Sequence, residues 1–131
     1  MSFDWKLYVE LSEELINNQK TPSLKDAYLR SAVSRAYYAI FCTAKQLLVP
    51  KTVFFPREDI HKFVREEYNR AVSRKEKQIG TKLGRLWTER KAADYDAGEI
   101  FDDARAEIAY QMAVDTLKLL TEIAKPQSEK N

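Results

Sequence analysis

Cysteine, glycine, proline and histidine are all scarce in this chain of 131 residues, and each shortage excludes something. Cys42 is the one cysteine, so no internal disulfide can form, which fits a reducing compartment. Three glycines and four prolines are too few for a turn-rich sandwich, a collagen-like chain or a disordered tail. The one histidine, His61, cannot make a histidine-based metal site without several carboxylates. No CxxC, HExxH or acidic-loop spacing surrounds it, so neither a metal nor another cofactor is expected. The longest apolar run, residues 36–41, is about six long where a spanning helix needs about 20, so no membrane segment is expected. Met1-Ser2-Phe3-Asp4-Trp5 places an acid where a secretion signal needs positive charge followed by an apolar stretch. These absences predict a single, soluble, cytoplasmic domain.

The residues present can build a core. Hydrophobic side chains make up 44% and charged ones 32%, a balance that suits one globular domain. The net charge of +2 hides a division along the chain. Residues 1–56 carry seven basic and five acidic side chains, residues 57–91 eleven and six, and residues 92–131 four and nine. A basic middle thus precedes an acidic end. A basic segment attracts phosphate, but it also describes an ordinary solvated helix face.

Helical spacing divides the chain into five segments separated by Pro, Gly and Asn. The first covers about residues 2–18, with Ser2 as its cap and Phe3, Leu7, Leu11, Leu15 and Ile16 inward. The second opens at Ser23 with Asp26 three residues on, and runs to Val49, where Pro50 stops it. Residues 51–55 form a short connector whose Val53, Phe54 and Phe55 pack over the core. Pro56 suits the first turn of a third helix, about 57–73, with Glu58 and Asp59 at its positive end. A fourth, about 76–93, puts Ile79, Leu83, Leu86 and Trp87 on one side, and residues 94–98 break it. The last, about 100–124, has Ile100, Ala104, Ile108, Met112 and Leu119 among its inward residues. Residues 126–131 read as a polar tail after a domain over 1–125. The expected fold class is all-α, an antiparallel up-and-down bundle of four to five helices.

On the second helix, Val33, Ala36, Tyr37, Ile40, Ala44, Leu47 and Leu48 share one arc. Ser31, Ser34, Arg35, Tyr38, Cys42, Lys45 and Gln46 share the other. That polar arc holds few long charges, and small residues with Arg and Tyr suit an interface or a cleft lining. A solvated face beside a buried tyrosine pair fits as well. His61 falls in the first turns of the third helix, in a capping or packing position more than a catalytic one. Gly80 and Gly84 lie four apart in a helix, where they permit close packing.

Arg90-Lys91-Ala92-Ala93-Asp94-Tyr95 carries the most chemistry. Arg90 sits in the final turn of the fourth helix and Tyr95 just past its end. An arginine clamps phosphate with parallel hydrogen bonds and stays charged. A tyrosine donates to phosphate or stacks on a base. Asp94 can orient either one. An ordinary helix C-cap explains the same residues.

The segment Arg30-Ser31-Ala32-Val33-Ser34-Arg35-Ala36-Tyr37-Tyr38-Ala39-Ile40-Phe41 resembles the second helix of HEPN-domain proteins. The similarity extends to His61 opening a helix, to Ile79-Gly80-Thr81-Lys82-Leu83-Gly84-Arg85-Leu86, and to residues 90–95, in the family's order. It spans about residues 5–120, and is greatest with small prokaryotic members encoded beside a minimal nucleotidyltransferase. The resemblance implies a dimerising bundle of four to five helices. Active members are metal-independent endoribonucleases, often toxins, whose arginine is followed four to six residues on by a histidine, both copies meeting across the dimer cleft. Arg90 matches that arginine. Tyr95 stands where the histidine is expected, and a phenol with an ordinary pKa near 10 is a poor base at neutral pH.

Two functions follow from the resemblance. One is the toxin of a HEPN–nucleotidyltransferase pair, a metal-independent endoribonuclease with Arg90 and Tyr95 as catalytic residues and Arg35, Tyr38, Arg90 and Asp94 holding phosphate. The alternative is a non-catalytic module that binds a nucleotide or a partner. The implied partners are a second copy of the chain, a minimal nucleotidyltransferase antitoxin, and RNA or a nucleotide. In paired family toxins a tyrosine near the motif is adenylylated by the antitoxin, which would make Tyr95 regulatory.

Overall fold

A computed structural model describes residues 2–125. It contains α1 (Leu7–Asn17), α2 (Lys25–Leu48), α3 (Ile60–Arg70), α4 (Arg74–Tyr95) and α5 (Asp103–Ile123), with 3-10 turns at Pro22–Leu24 and Val49–Lys51. No strand occurs among the described residues, and the expected all-α bundle is what forms. No helix among them is long and apolar enough to cross a membrane. The tail expected over 126–131 lies outside the described residues.

Helix α2 is the hub, packed against α1, α3, α4 and α5. Its small residues Ala32, Ala36, Ala39 and Ala44 are fully buried and let the neighbours approach. Leu29, Val33 and Ile40 fill the gaps, each contributing about 1.5–3 kcal/mol by leaving water. A helix covered on most sides has little room for a polar arc. Ser34 is therefore buried, Arg35, Tyr38 and Cys42 are half-buried, and only Ser31, Lys45 and Gln46 of that arc are exposed. The buried hydroxyls are partnered: Ser12 donates to the Ala32 carbonyl and Tyr68 to the Ala44 carbonyl, both at 2.8 Å.

Several helix ends and faces differ from the sequence expectation. The first helix starts at Leu7 rather than residue 2, and Phe3 and Trp5 ahead of it gather against Tyr8 of its first turn. Asp4, not Ser2, ties this start, accepting the Lys6 amide at 3.1 Å. Phe3, Leu7 and Leu11 are exposed, and Val9, Ser12 and Ile16 face inward, since Ser12 bonds the α2 backbone where a leucine would hold the helices apart. No side chain caps α2, which is entered through the Pro22–Leu24 turn instead of from Ser23.

The face of α5 is rotated too. Ala106, Ala109, Ala113, Thr116 and Leu120 are buried, Met112 and Leu119 are half-buried, and Ala104 is exposed. Ile100 (81%) and Ile108 (64%) are also exposed. Small residues meet the alanine-rich α2 closely, and the larger isoleucines turn outward. Helix α3 begins only at Ile60, after Asp59 takes a left-handed conformation (φ 51°) that Asp tolerates better than most residues. In the connector Val53 and Phe54 are exposed, and only Phe55 packs, against Phe63 at 5.3 Å.

Helix α4 starts at Ser73, whose hydroxyl accepts the Glu76 amide, and continues unbroken through Tyr95. Gly80 is the closest approach of α3 and α4: a Cβ there would lie 2.8 Å from the Asn69 backbone nitrogen. This packing, together with Ile79, Leu83 and Leu86 at 0–1% exposure, fixes which way Arg90 points.

Candidate phosphate site

Stepping about 100° per residue, Arg90 falls on the same side of α4 as Ile79, Leu83 and Leu86. It thus occupies a core position and is only 9% exposed. Its Nε donates to Asp94 Oδ2 at 2.9 Å, one turn along, and Ser34 donates to the same oxygen at 3.2 Å. The guanidinium sits among the rings of Tyr38 (5.0 Å), Trp87 (5.2 Å) and Tyr95 (5.5 Å). Its two Nη atoms have no hydrogen-bond partner among the described residues and reach the surface. Asp94 and the rings hold a charged fork, a group that can make two parallel bonds to a phosphate.

Arg35, Tyr38, Arg90, Asp94 and Tyr95, the five residues singled out in the sequence, all gather here. Arg35 lies over Tyr38 at 5.2 Å and over Tyr8 at 4.8 Å, so Tyr38 has a guanidinium from α2 and another from α4 against it. Tyr95 differs from expectation in two ways: it closes α4 instead of following it, and it is 76% exposed.

Trp87, Arg65 and His61, which the sequence left elsewhere, join the cluster, with Tyr37 and Phe41 of α2. Trp87 carries Arg90, Lys91 (5.2 Å) and Arg65 (5.8 Å) around its indole. His61 stacks between Phe41 (4.1 Å) and Trp87 (4.6 Å), and its Nδ1 lies 2.6 Å from the Tyr37 hydroxyl. Burial, followed by the nearby charges of Arg90, Arg65 and Lys45, lowers the imidazole pKa to about 4. Burial pushes the Tyr37 phenol up, so it keeps its proton. His61 as the sole histidine was the one sequence signal for this part of the site. The contact with Arg90 depends on how α3 lies across α4, which local spacing does not encode.

Around Tyr38 and Trp87 the charges do not balance. Arg35, Arg65, Arg90 and Lys91 are gathered, and Asp94 is the one carboxylate paired with any of them among the described residues. No group of three metal-ligating side chains occurs among the described residues.

The end of α4 is anchored from two sides. Arg30 of α2 donates to the carbonyls of Ala92 (3.3 Å), Ala93 (3.1 Å) and Asp96 (3.0 Å), and also reaches that of Glu99. The Ala92 and Asp96 carbonyls also accept the Asp96 and Glu99 amides, so Arg30 reinforces this helix end as a C-cap reaching in from another helix. Arg105 of α5 bridges Glu89 (2.8 Å) and Glu99 (3.0 Å) and packs on Phe101. Cys42 is free and half-buried, and burial raises its thiol pKa, so it stays an unreactive thiol.

Compared with family models, curated proteins and solved structures, the chain matches none.

Proposed function

We propose that this chain is a HEPN-like module that binds the phosphate of RNA or of a nucleotide at Arg90, and that it acts as a metal-independent endoribonuclease paired with a nucleotidyltransferase antitoxin. The observation that carries the binding step is the cluster of four cations around Tyr38 and Trp87 with a single carboxylate among them. Holding like charges together costs free energy that an anionic ligand recovers. Arg90 binds the phosphate through its open Nη atoms, Asp94 orients the fork, Arg35 adds charge from α2, and Tyr38 supports both guanidiniums. The pairing, the cytoplasmic setting and the cleavage rest on the sequence resemblance.

A second reading, binding without cleavage, is favoured by Tyr95. It is exposed and occupies the position where active family members carry a histidine, with a phenol, in general a poor base at neutral pH, in place of an imidazole. The same exposure suits modification by a partner nucleotidyltransferase. A homodimer would bring two copies of Arg90 to one cleft. Light scattering at high concentration should give twice the 15.3 kDa chain mass, and a mass near 15.3 kDa would remove the dimer.

Incubation with single-stranded RNA in the presence of EDTA separates the two readings. Cleavage abolished by Arg90→Ala supports the nuclease. Binding that is lost in Arg90→Ala, with intact RNA recovered from the wild type, supports the binding module. RNA binding unaffected by Arg90→Ala would make Arg90 a structural helix-end residue.

A further inference from the structure

Three of the four sides of His61 are accounted for. Phe41 and Trp87 stack on its ring, and Tyr37 bonds Nδ1. Burial holds the proton on the Tyr37 phenol, and in the tautomer in which Tyr37 donates to Nδ1 the neutral imidazole carries its own hydrogen on Nε2. Nε2 has no partner among the described residues and reaches the surface.

Arg65 lies four residues on from His61 along α3, on the same side. Its guanidinium is 5.8 Å from the Trp87 ring, and its Nη1 is buried without any hydrogen-bond partner. A buried charged donor without an acceptor is one of the most costly groups to leave in a fold, and natural structures seldom keep one without a reason. Trp87 therefore has the guanidiniums of Arg90 (5.2 Å) and Arg65 (5.8 Å) and the His61 ring (4.6 Å) around one indole.

We propose that His61 and Arg65 complete the anion site of Arg90, so that a phosphate group is bound from α3 as well as α4, with His61 donating Nε2–H to a phosphate oxygen. This rests on the phosphate reading of Arg90 given above. It adds that the binding site takes up a proton. The groups around the imidazole are Arg65 on α3, Tyr37, Tyr38 and Lys45 on α2, and Arg90 with Asp94 on α4. Three of these are cations that oppose a charge on the ring, and a bound phosphate offsets them. Imidazole protonation then becomes easier as phosphate binds, and by linkage phosphate binds more tightly as pH falls towards 5.

The chain's single histidine gives a single imidazole signal, so proton NMR reads this site directly in the wild-type protein. His61 is titrated in chloride, in inorganic phosphate at matched ionic strength, and with a short single-stranded RNA blocked at its 2′-hydroxyls against cleavage. The titration midpoint, about 4 without ligand, should rise by about one unit, a tenfold gain in proton affinity. Arg65→Ala and Arg90→Ala should each remove most of that response. His61→Ala should weaken RNA binding about tenfold, and His61→Gln less, since an amide N–H replaces the donor. A response to both ligands, or to RNA alone, supports the site and shows whether the polymer is needed; a response to inorganic phosphate alone supports it as a site for small phosphate esters. An unchanged His61 midpoint with RNA that binds the wild type and is lost in Arg90→Ala would overturn the His61 assignment and leave the Arg90 reading standing. RNA that is indifferent to Arg90→Ala, with no His61 response to either ligand, would overturn both.

Discussion

The Tyr37 hydroxyl and Nδ1 of His61 lie 2.6 Å apart, joining α2 to α3 inside a cluster of five rings completed by Tyr38, Phe41 and Trp87. Burial of the ring, followed by the charges of Arg90, Arg65 and Lys45, ties the titration of the one histidine to the stability of the bundle. Folded His61 protonates only near pH 4, whereas an unfolded histidine does so near 6.5. Between these values the unfolded chain holds a proton that the folded chain refuses. Stability from this group is therefore complete above about pH 6.5, falls with pH across the window, and is gone below about 4.

Urea unfolding at pH 7 and pH 4.5 measures this effect. The carboxylates also titrate there, so the informative quantity is the wild type's loss minus that of His61→Phe, which keeps an aromatic ring in the stack. With the ring partly open to solvent, the excess should be about 1–2 kcal/mol. Equal losses in both proteins would mean that His61 titrates in the folded state as it does in the unfolded one.

Arg90→Ala should weaken RNA binding by about 10- to 100-fold, the equivalent of one or two bonds to a charged group. Arg90→Lys keeps the charge but loses the fork, and should recover little of that loss. Lys75→Ala is the control, because Lys75 is a surface lysine paired at 3.4 Å with Glu122. Fluorescence polarisation on all three variants at one salt concentration checks the order. Lys75→Ala as damaging as Arg90→Ala would point to diffuse charge rather than to a site.

Arg30 never reaches the phosphate site, yet it sets the position of the helix end that forms it. Arg30→Ala leaves the carbonyls of Ala92, Ala93 and Asp96 without that donor. Stability should fall by about 2–3 kcal/mol, and RNA affinity should fall as well although every residue of the cluster remains. Arg30→Lys should restore part of the stability, because one ammonium reaches fewer carbonyls than a guanidinium. Thermal unfolding and binding on the same samples separate the two effects. A variant with full stability and full affinity would show that α4 ends where it does without Arg30.

Spacing in the sequence identifies five helices, and the family resemblance groups Arg35 and Tyr38 with residues 90–95. Spacing misplaced the faces of α1 and α5, where the core is built from small residues. Periodicity weights Ile100 and Ile108 above Ala106 and Ala109, whereas contact with the alanines of α2 rewards the smaller side chains. The α3 half of the site was illegible for a different reason. His61 and Arg65 reach Trp87 where Gly80 lets α3 settle onto α4 beside Asn69; the glycine marks a close packing in the sequence, but not which helix packs there.

The basic middle of the sequence also proves to have two destinations. Arg65, Arg90 and Lys91 turn to the aromatic cluster, whereas Arg74, Lys77, Lys82 and Arg85 line an open groove of about 330 Å³ with Gln78 and Thr81. At about 100° per residue that groove is on the side of α4 away from Arg90. Mobile cations along an outer helix face suit a polyanion's backbone and add no fixed geometry. A Lys82→Ala/Arg85→Ala double variant should therefore lower the salt dependence of RNA binding, reducing the slope of log affinity against log salt by about 1.4 if both cations contact phosphates of a single strand. The response of His61 to inorganic phosphate should not change, because neither residue touches the aromatic cluster. A slope that stays the same would confine RNA to the Arg90 side of the helix, and a lost His61 response would mean that the two faces of α4 are one site.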